Sequence, residues 1–169
     1  MPNNIRDMAT ETRSKVDNGS LDPTDRRILA LLQDNAKMPQ AKMAKAVGLT
    51  APSVNERIRK LERAGYIRGY VTLLDERKLG HDVTAFVEVF IEHPKHETGF
   101  IEAVSTLDEV LECHHITGEF SLLLKVRVAD MGAFRRLLIE KLNTIQGVRQ
   151  TRTLIVLATA KEGHRIKLD

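Results

Sequence analysis

Glu112, Cys113, His114 and His115 stand in a row, the chain's only cysteine among them. Carboxylate, thiol and imidazole are the usual ligands of zinc, and a cysteine beside a histidine can make a nucleophile and its base. The spacing argues against both. The pattern around them, "VLECHHIT", predicts a strand over Val110–Thr117, and successive strand side chains point to opposite faces. His114 then shares a face with Glu112, and Cys113 with His115. The two imidazoles cannot reach one ion from a regular strand. Cys113 and His115 lie about 6.6 Å apart along it, beyond hydrogen-bond reach, and no Asn or Asp is placed to orient the imidazole. Neither a metal site, nor a catalytic residue, nor a cofactor is expected here.

A second constellation is "TAPSVNERIRKLERAGYIRGY", Thr50–Tyr70. Thr50 can cap a helix and Pro52 suits its first turn. Val54, Ile58 and Leu61 recur at i, i+4 and i+7 and form an apolar face. Ser53, Asn55, Glu56, Arg57, Arg59, Lys60 and Arg63 are left for solvent. Small polar groups near the start of such a helix can enter a major groove. Ser53 and Asn55 can hydrogen-bond base edges, and Arg57 can pair with a guanine edge or a phosphate. Arg59, Lys60, Arg63 and Arg68 suit phosphates, which set register. The charge distribution agrees. Residues 22–78 carry twelve basic and seven acidic groups, whereas residues 79–169 carry eleven and thirteen. The basic stretch favours a polyanion.

The elements that must position this helix lie just before it. In "LDPTDRRILALLQDNAK", Asp22 can cap a helix with Pro23 at its first position, and Ile28, Leu29 and Leu32 share a face. Gln40–Val47 presents Met43, Ala44 and Val47, and Gly48 can end it in a left-handed conformation. Gly65 closes the third helix. The β-rich "YIRGYVTLLD", with Ile67, Val71 and Thr72, then predicts a strand. Three short helices and a strand make a winged helix-turn-helix over residues 21–74. Residues 1–20 read as a flexible tail, in which Arg6, Arg13 and Lys15 can brush a phosphate backbone, and residues 75–82 as a linker.

Over residues 83–169 the period changes. Strands are predicted at Val83–Glu92, Val110–Thr117, Leu122–Val128 and Val148–Ala158. Helices are predicted in "HETGFIEAVSTL", with Phe100, Val104 and Leu107 inward, and in "DMGAFRRLLIEKLNTI", capped by Asp130, with Phe134, Leu138, Leu142 and Ile145 inward. The order βαββαβ is that of a ferredoxin-like sandwich, so the fold class is α+β. Both helices then lie on one face of the sheet. The other face would carry Thr84, Phe86, Glu88, Phe90 and Glu92, with Leu123 and Leu154. Two phenylalanines on an open face ask for a cover, and a second copy related by a two-fold axis is expected to supply it, the N-terminal unit or the tail being the alternative.

No apolar run is long enough to span a membrane, and the N-terminus lacks the basic-then-apolar order of a secretory signal. A lone cysteine cannot form an internal disulfide. A cytoplasmic protein is expected.

From Leu21 to Ala160 the chain resembles the Lrp/AsnC, or feast/famine, transcriptional regulators of bacteria and archaea. The resemblance is carried in order by "LDPTDRRILALLQDNAK", "VGLTAPSVNERIRKLERAGYIRGY", "ECHHITGEFSLLLKVRVADMGAFRRLL" and "GVRQTRT". It implies an N-terminal helix-turn-helix on double-stranded DNA and a ferredoxin-like domain that binds a small-molecule effector, usually an amino acid. It also implies homodimers assembling to tetramers or octamers, with effectors between dimers near the turn joining the second and third strands. Carried over, the DNA-contacting residues are Ser53, Asn55, Glu56, Arg57, Arg59, Lys60 and Arg63, to which the reading of the helix itself adds Thr50 and Arg68. The effector residues are Thr117, Gly118, Glu119, Phe120 and Ser121, with Thr151 and Thr153 of the last strand nearby. The family's turn often reads Gly-Asp-aromatic-Asp. Here it reads Gly-Glu-Phe-Ser, a longer first acid and a hydroxyl in place of the second.

Two other functions fit the same architecture. Some of its members are siroheme decarboxylases, whose histidines and arginines handle a tetrapyrrole, and the intact basic helix weighs against that. A ligand-binding protein without DNA activity is the other. The reading adopted is a non-enzymatic, effector-modulated transcriptional regulator.

Overall fold

The computed structural model describes residues 21–168. The expected tail over residues 1–20, with Arg6, Arg13 and Lys15, lies outside them. The chain forms two compact units, one of residues up to Leu73 with those from Lys161 onward, the other Leu74–Ala160.

The first unit holds α1 (Pro23–Asp34), α2 (Gln40–Val47) and α3 (Ala51–Arg63). Asp22 caps α1, its carboxylate accepting from the Asp25 N–H at 2.7 Å. Thr50 caps α3 in the same way through the Ser53 N–H. These bonds satisfy donors that a helix N-terminus leaves free. Gly48 ends α2 at φ 68°, a conformation that favours glycine, and so turns the chain tightly into α3. Ile28, Leu29, Met43, Ala44, Val54, Ile58 and Leu61 close a core between the three helices.

Two expectations change in this unit. Residues 67–75 form no strand. Their side chains are β-prone, but a strand also needs a neighbouring strand's N–H and C=O groups, and the Ile67 N–H instead bonds the Leu61 carbonyl at the end of α3, at 3.3 Å. Tyr70, Val71, Leu73 and Leu74 stay exposed. The residues after Ala160, assigned by sequence to the sandwich, instead lie along α1. The Gln33 amide grips the Ile166 backbone both ways, donating to its carbonyl at 3.1 Å and accepting from its N–H at 2.8 Å. Arg165 pairs with Asp34 at 2.6 Å, and Leu168 packs against the three-helix core.

The second unit is an antiparallel sheet of β1 (Val83–Ile91), β2 (Val110–His115), β3 (Leu122–Val128) and β4 (Val148–Ile155), in the order β2-β3-β1-β4. Helix α4 (Glu97–Ser105) and α5, beginning at Met131–Arg136, complete the βαββαβ order. Alternation decides the faces. Ala85, Val87, Val89 and Ile91 of β1 and Leu122, Leu124, Val126 and Val128 of β3 are buried with Phe100, Val104, Phe134, Leu137 and Leu142. Phe100 is fully buried, and truncating such a side chain costs about 3–5 kcal/mol.

The last helix is not uniform. After Met131–Arg136 it widens into a π turn over Leu137–Lys141 and tightens into a 3-10 turn at Leu142–Thr144. Phe134, Leu138 and Leu142 are spaced by four, so an α-helix would rotate each by about 40° from the last. The wide turn absorbs that drift and brings Leu142 fully into the core. The expected linker is also held: Glu76 pairs with Arg127 of β3, and the Asp82 N–H bonds the Ala129 carbonyl at 3.2 Å.

Candidate nucleic-acid interface and effector turn

Helix α3 buries Val54, Ile58 and Leu61 and turns the rest outward. Thr50, Ser53, Glu56, Arg59, Lys60, Arg63 and Arg68 are exposed, with Asn55 and Arg57 half-buried. The side chains within this set differ in what already holds them. Arg59, Lys60 and Arg68 make no ion pair among the described residues. Arg63 reaches back two turns to Glu56 at 3.0 Å. The Thr50 and Ser53 hydroxyls bond each other at 2.9 Å, and the Gln40 Nε2 donates to the Asn55 Oδ1 at 3.2 Å.

Arg57 departs furthest from its expected place. Its Nη1 donates to Asp22 Oδ2 at 2.6 Å and to Asp25 Oδ1 at 2.7 Å, both at the start of α1. The two carboxylates raise the guanidinium pKa, Asp22 first. Asp22 is itself held below the usual carboxylate range, by the Asp25 backbone N–H first and by Arg57 next. The sequence reading saw a free arginine because its partners lie 35 and 32 residues away. In the fold this guanidinium clamps α3 to α1.

The opening cluster resolves as the strand alternation requires. His114 Nε2 bonds Glu112 at 3.0 Å on the open face of the sheet, and Lys125 reaches the same carboxylate at 3.2 Å. Cys113 turns to the core, where burial raises its thiol pKa. No group of three His, Cys, Asp or Glu able to hold a metal gathers among the described residues.

The turn from β2 to β3 is closed by the Ile116 N–H on the Ser121 carbonyl at 3.0 Å, with Gly118 at φ 121°. Thr117 and Glu119 are exposed. Phe120 is only 4 % exposed. The Arg152 guanidinium covers its ring at 4.8 Å, and Glu88 holds that guanidinium through two bonds, one of them 2.8 Å from Nη2. The Ser121 hydroxyl is buried and has no hydrogen-bond partner among the described residues. Buried hydroxyls are normally bonded, so Ser121 is an exception to the rule.

Thr151 and Thr153 do not gather with Phe120. Both pair with inward residues of β1, Val89 and Val87, and so lie on the helix-bearing face. Leu122 and Thr151 share Val89 as neighbour, which sets them two strand spacings apart, roughly 9–10 Å. Thr151 instead approaches Asn143 at 3.5 Å. Sequence reasoning missed Gln40, Glu88 and Arg152. The last lies inside "GVRQTRT", but only the register with Glu88 exposes its role.

Residues 21–68 match the model of a winged helix-turn-helix DNA-binding domain, and residues 84–166 that of the Lrp/AsnC ligand binding domain. The leucine-responsive regulatory protein of Escherichia coli K12 is 40% identical over 148 residues, 86% of this chain and 90% of its own. Among solved structures, AsnC of E. coli aligns with a TM-score of 0.80 at 32% identity, over 85% of this chain and 97% of its own. A transcriptional regulator from Neisseria meningitidis in complex with L-methionine aligns with a TM-score of 0.84 at 30% identity, over 88% and 97%. A feast or famine regulatory protein of Mycobacterium tuberculosis, also complexed with L-methionine, aligns with a TM-score of 0.81 at 30% identity, over 87% and 99%.

Proposed function

Because the chain belongs to the Lrp/AsnC family of transcriptional regulators, we propose that it reads DNA through α3 and responds to an amino acid bound beside the β2–β3 turn. The observation that carries the first part is the outer face of α3. It sets Ser53 and Asn55 ahead of the unpaired cations Arg59 and Lys60, with Thr50, Arg63 and Arg68 at its margins. Small polar groups read base edges while cations hold phosphates. Glu56, paired with Arg63, steers that arginine rather than meeting the phosphates itself.

The effector reading rests on the turn. Gly118 leaves room for a ligand's approach, the backbone N–H groups of the turn suit an α-carboxylate, and Glu119 suits an α-amino group. The two relatives holding L-methionine support an amino acid as the ligand class. No catalytic step is assigned to the chain.

The open sheet face, with Phe86, Phe90, Leu123 and half-exposed Leu154, suits burial against a second copy, as does the β-prone segment 67–75, which joins no strand. A dimer carries two α3 helices and so reads half-sites one helical turn, or a multiple, apart. Effector-dependent assembly into tetramers or octamers would shift that spacing, to the extent that the ligand binds the states unequally. The setting proposed is the cytoplasm.

Selection from a pool of randomised duplexes, followed by anisotropy titrations across a salt series, tests the DNA reading. A selected, near-palindromic site with affinity falling steeply with salt supports it. No enrichment, or binding indifferent to salt, refutes it.

A further inference from the structure

Gln40 opens α2, a helix with no side-chain cap, and its exposed amide reaches across the helix-turn-helix to Asn55 on α3. The direction of that bond has a chemical consequence. Gln40 Nε2 donates and Asn55 Oδ1 accepts at 3.2 Å. An asparagine amide has one acceptor end and one donor end. Gln40 takes one lone pair of the Asn55 oxygen and turns that end towards α2, so the NH2 group is the end left wholly for a ligand. Asn55 is also half-buried, so its side chain has less freedom than those of Ser53 or Arg59.

We infer that Gln40 is a positioning residue for sequence readout, fixing the Asn55 amide so that its N–H donors face a base edge rich in acceptors. This inference rests on the proposal that α3 enters the major groove. Guanine offers N7 and O6 there and thymine offers O4, whereas cytosine offers the N4 donor. A free asparagine can turn over and take adenine through both of its ends. The Gln40 bond biases Asn55 away from that arrangement and towards guanine or thymine. Gln40 therefore acts on specificity without needing to touch a base, and the reading face extends from α3 to the start of α2.

The neighbouring groups leave this polarity intact. Ser53 and Thr50 bond each other, Glu56 faces Arg63, and Arg57 is committed to α1. None of them holds Asn55.

The experiment uses the full chain and the duplex selected by the unaltered protein. Anisotropy titrations at one salt concentration compare that duplex with every single-base-pair variant. Asn55→Ala locates the base pair that Asn55 reads, as the position where discrimination is lost. Gln40→Met keeps the length and removes the donor. It should relax the preference for guanine or thymine at that base pair alone and admit adenine, a change of roughly 5–150-fold in relative affinity, while phosphate-driven affinity for non-specific DNA is unchanged. Gln40→Glu can only accept when ionised, so it takes the Asn55 NH2 and leaves Oδ1 outward. Its preferred base at that position should move towards cytosine or adenine, which present donors. Combining Gln40→Met with Asn55→Ala should add nothing to Asn55→Ala. Selective binding whose base preferences survive both Gln40 variants overturns this inference and leaves the DNA reading standing. Absence of any selective binding by the unaltered protein overturns both.

Discussion

Asp22 and Arg57 meet at 2.6 Å across 35 residues of sequence, the cap of α1 against the middle of α3. Asp25 completes the clamp at 2.7 Å with its side chain only 12% exposed. Recognition by α3 depends on its angle to the other helices, and this charged contact is one of the few polar ties that set it. Arg57→Ala strands Asp25 without a cation and should cost roughly 1–3 kcal/mol. Both of the chain's tyrosines, Tyr66 and Tyr70, lie in this unit and the chain has no tryptophan. Tyrosine emission during urea unfolding therefore reports on it selectively. Arg57→Ala should lower the midpoint. Arg59→Ala should leave the midpoint alone and weaken DNA binding instead. An Arg57→Ala protein of full stability would remove the clamp from the account.

The clamp also sets a dependence on pH. Asp22 is held below its ordinary value near 3.8, so the stability it contributes is present above that value and lost as pH falls through the folded one. Asp22→Asn keeps an oxygen for the Asp25 N–H but removes the charge facing Arg57. At neutral pH the variant should unfold at lower urea than the parent. The gap should narrow as pH falls through 4 towards 3. A gap that stays constant with pH would mean the charge contributes nothing.

The C-terminal strap gives a third expectation. Gln33 makes two bonds to the Ile166 backbone and Asp34 pairs with Arg165. Replacing Gln33 by Ala should cost about 1 kcal/mol, since net hydrogen bonds at an exposed site are modest. Ending the chain at Ala160 removes these ties and the Leu168 contact together, and should lower the tyrosine-monitored midpoint further. A truncated chain with an unchanged midpoint would show that the strap adds nothing to the first unit.

The apolar periodicity explains why so much of this architecture was legible in the sequence. Val54, Ile58 and Leu61 repeat at helical spacing and bury as a set, and Ala85, Val87, Val89 and Ile91 alternate and bury as a set. Caps at Asp22, Thr50 and Asp130 are local chemistry and were readable for that reason. What was not legible depends on partners far along the chain. Arg57 reads as a groove-facing cation until Asp22 and Asp25 are placed beside it. Gln40 and Asn55 stand fifteen residues apart and become a pair only through the Gly48 turn. Segment 67–75 has strand composition without a strand partner. Residues 161–168 show no period, and the contacts that bind them to α1 include the Gln33 amide and the Asp34–Arg165 ion pair, which no local pattern announces.

The orphaned hydroxyl of Ser121 supplies the last prediction, and it separates ligand binding from fold. A buried hydroxyl without a partner costs stability, on the order of 1–3 kcal/mol by mutational measure. Ser121→Ala removes the unsatisfied group and leaves the apolar packing, so the ligand-free protein should melt at a higher temperature than the parent. If the hydroxyl is the partner of a bound amino acid, the same change should shrink the rise in melting temperature that the ligand produces. Screening the twenty amino acids by thermal shift on both proteins reads the two effects together. Glu119→Gln gives the contrast. Glu119 is exposed and contributes little to the fold, so its loss should reduce the ligand shift without raising the ligand-free melting temperature. Ser121→Ala with a higher ligand-free melting temperature and an undiminished ligand shift would place the effector away from this turn.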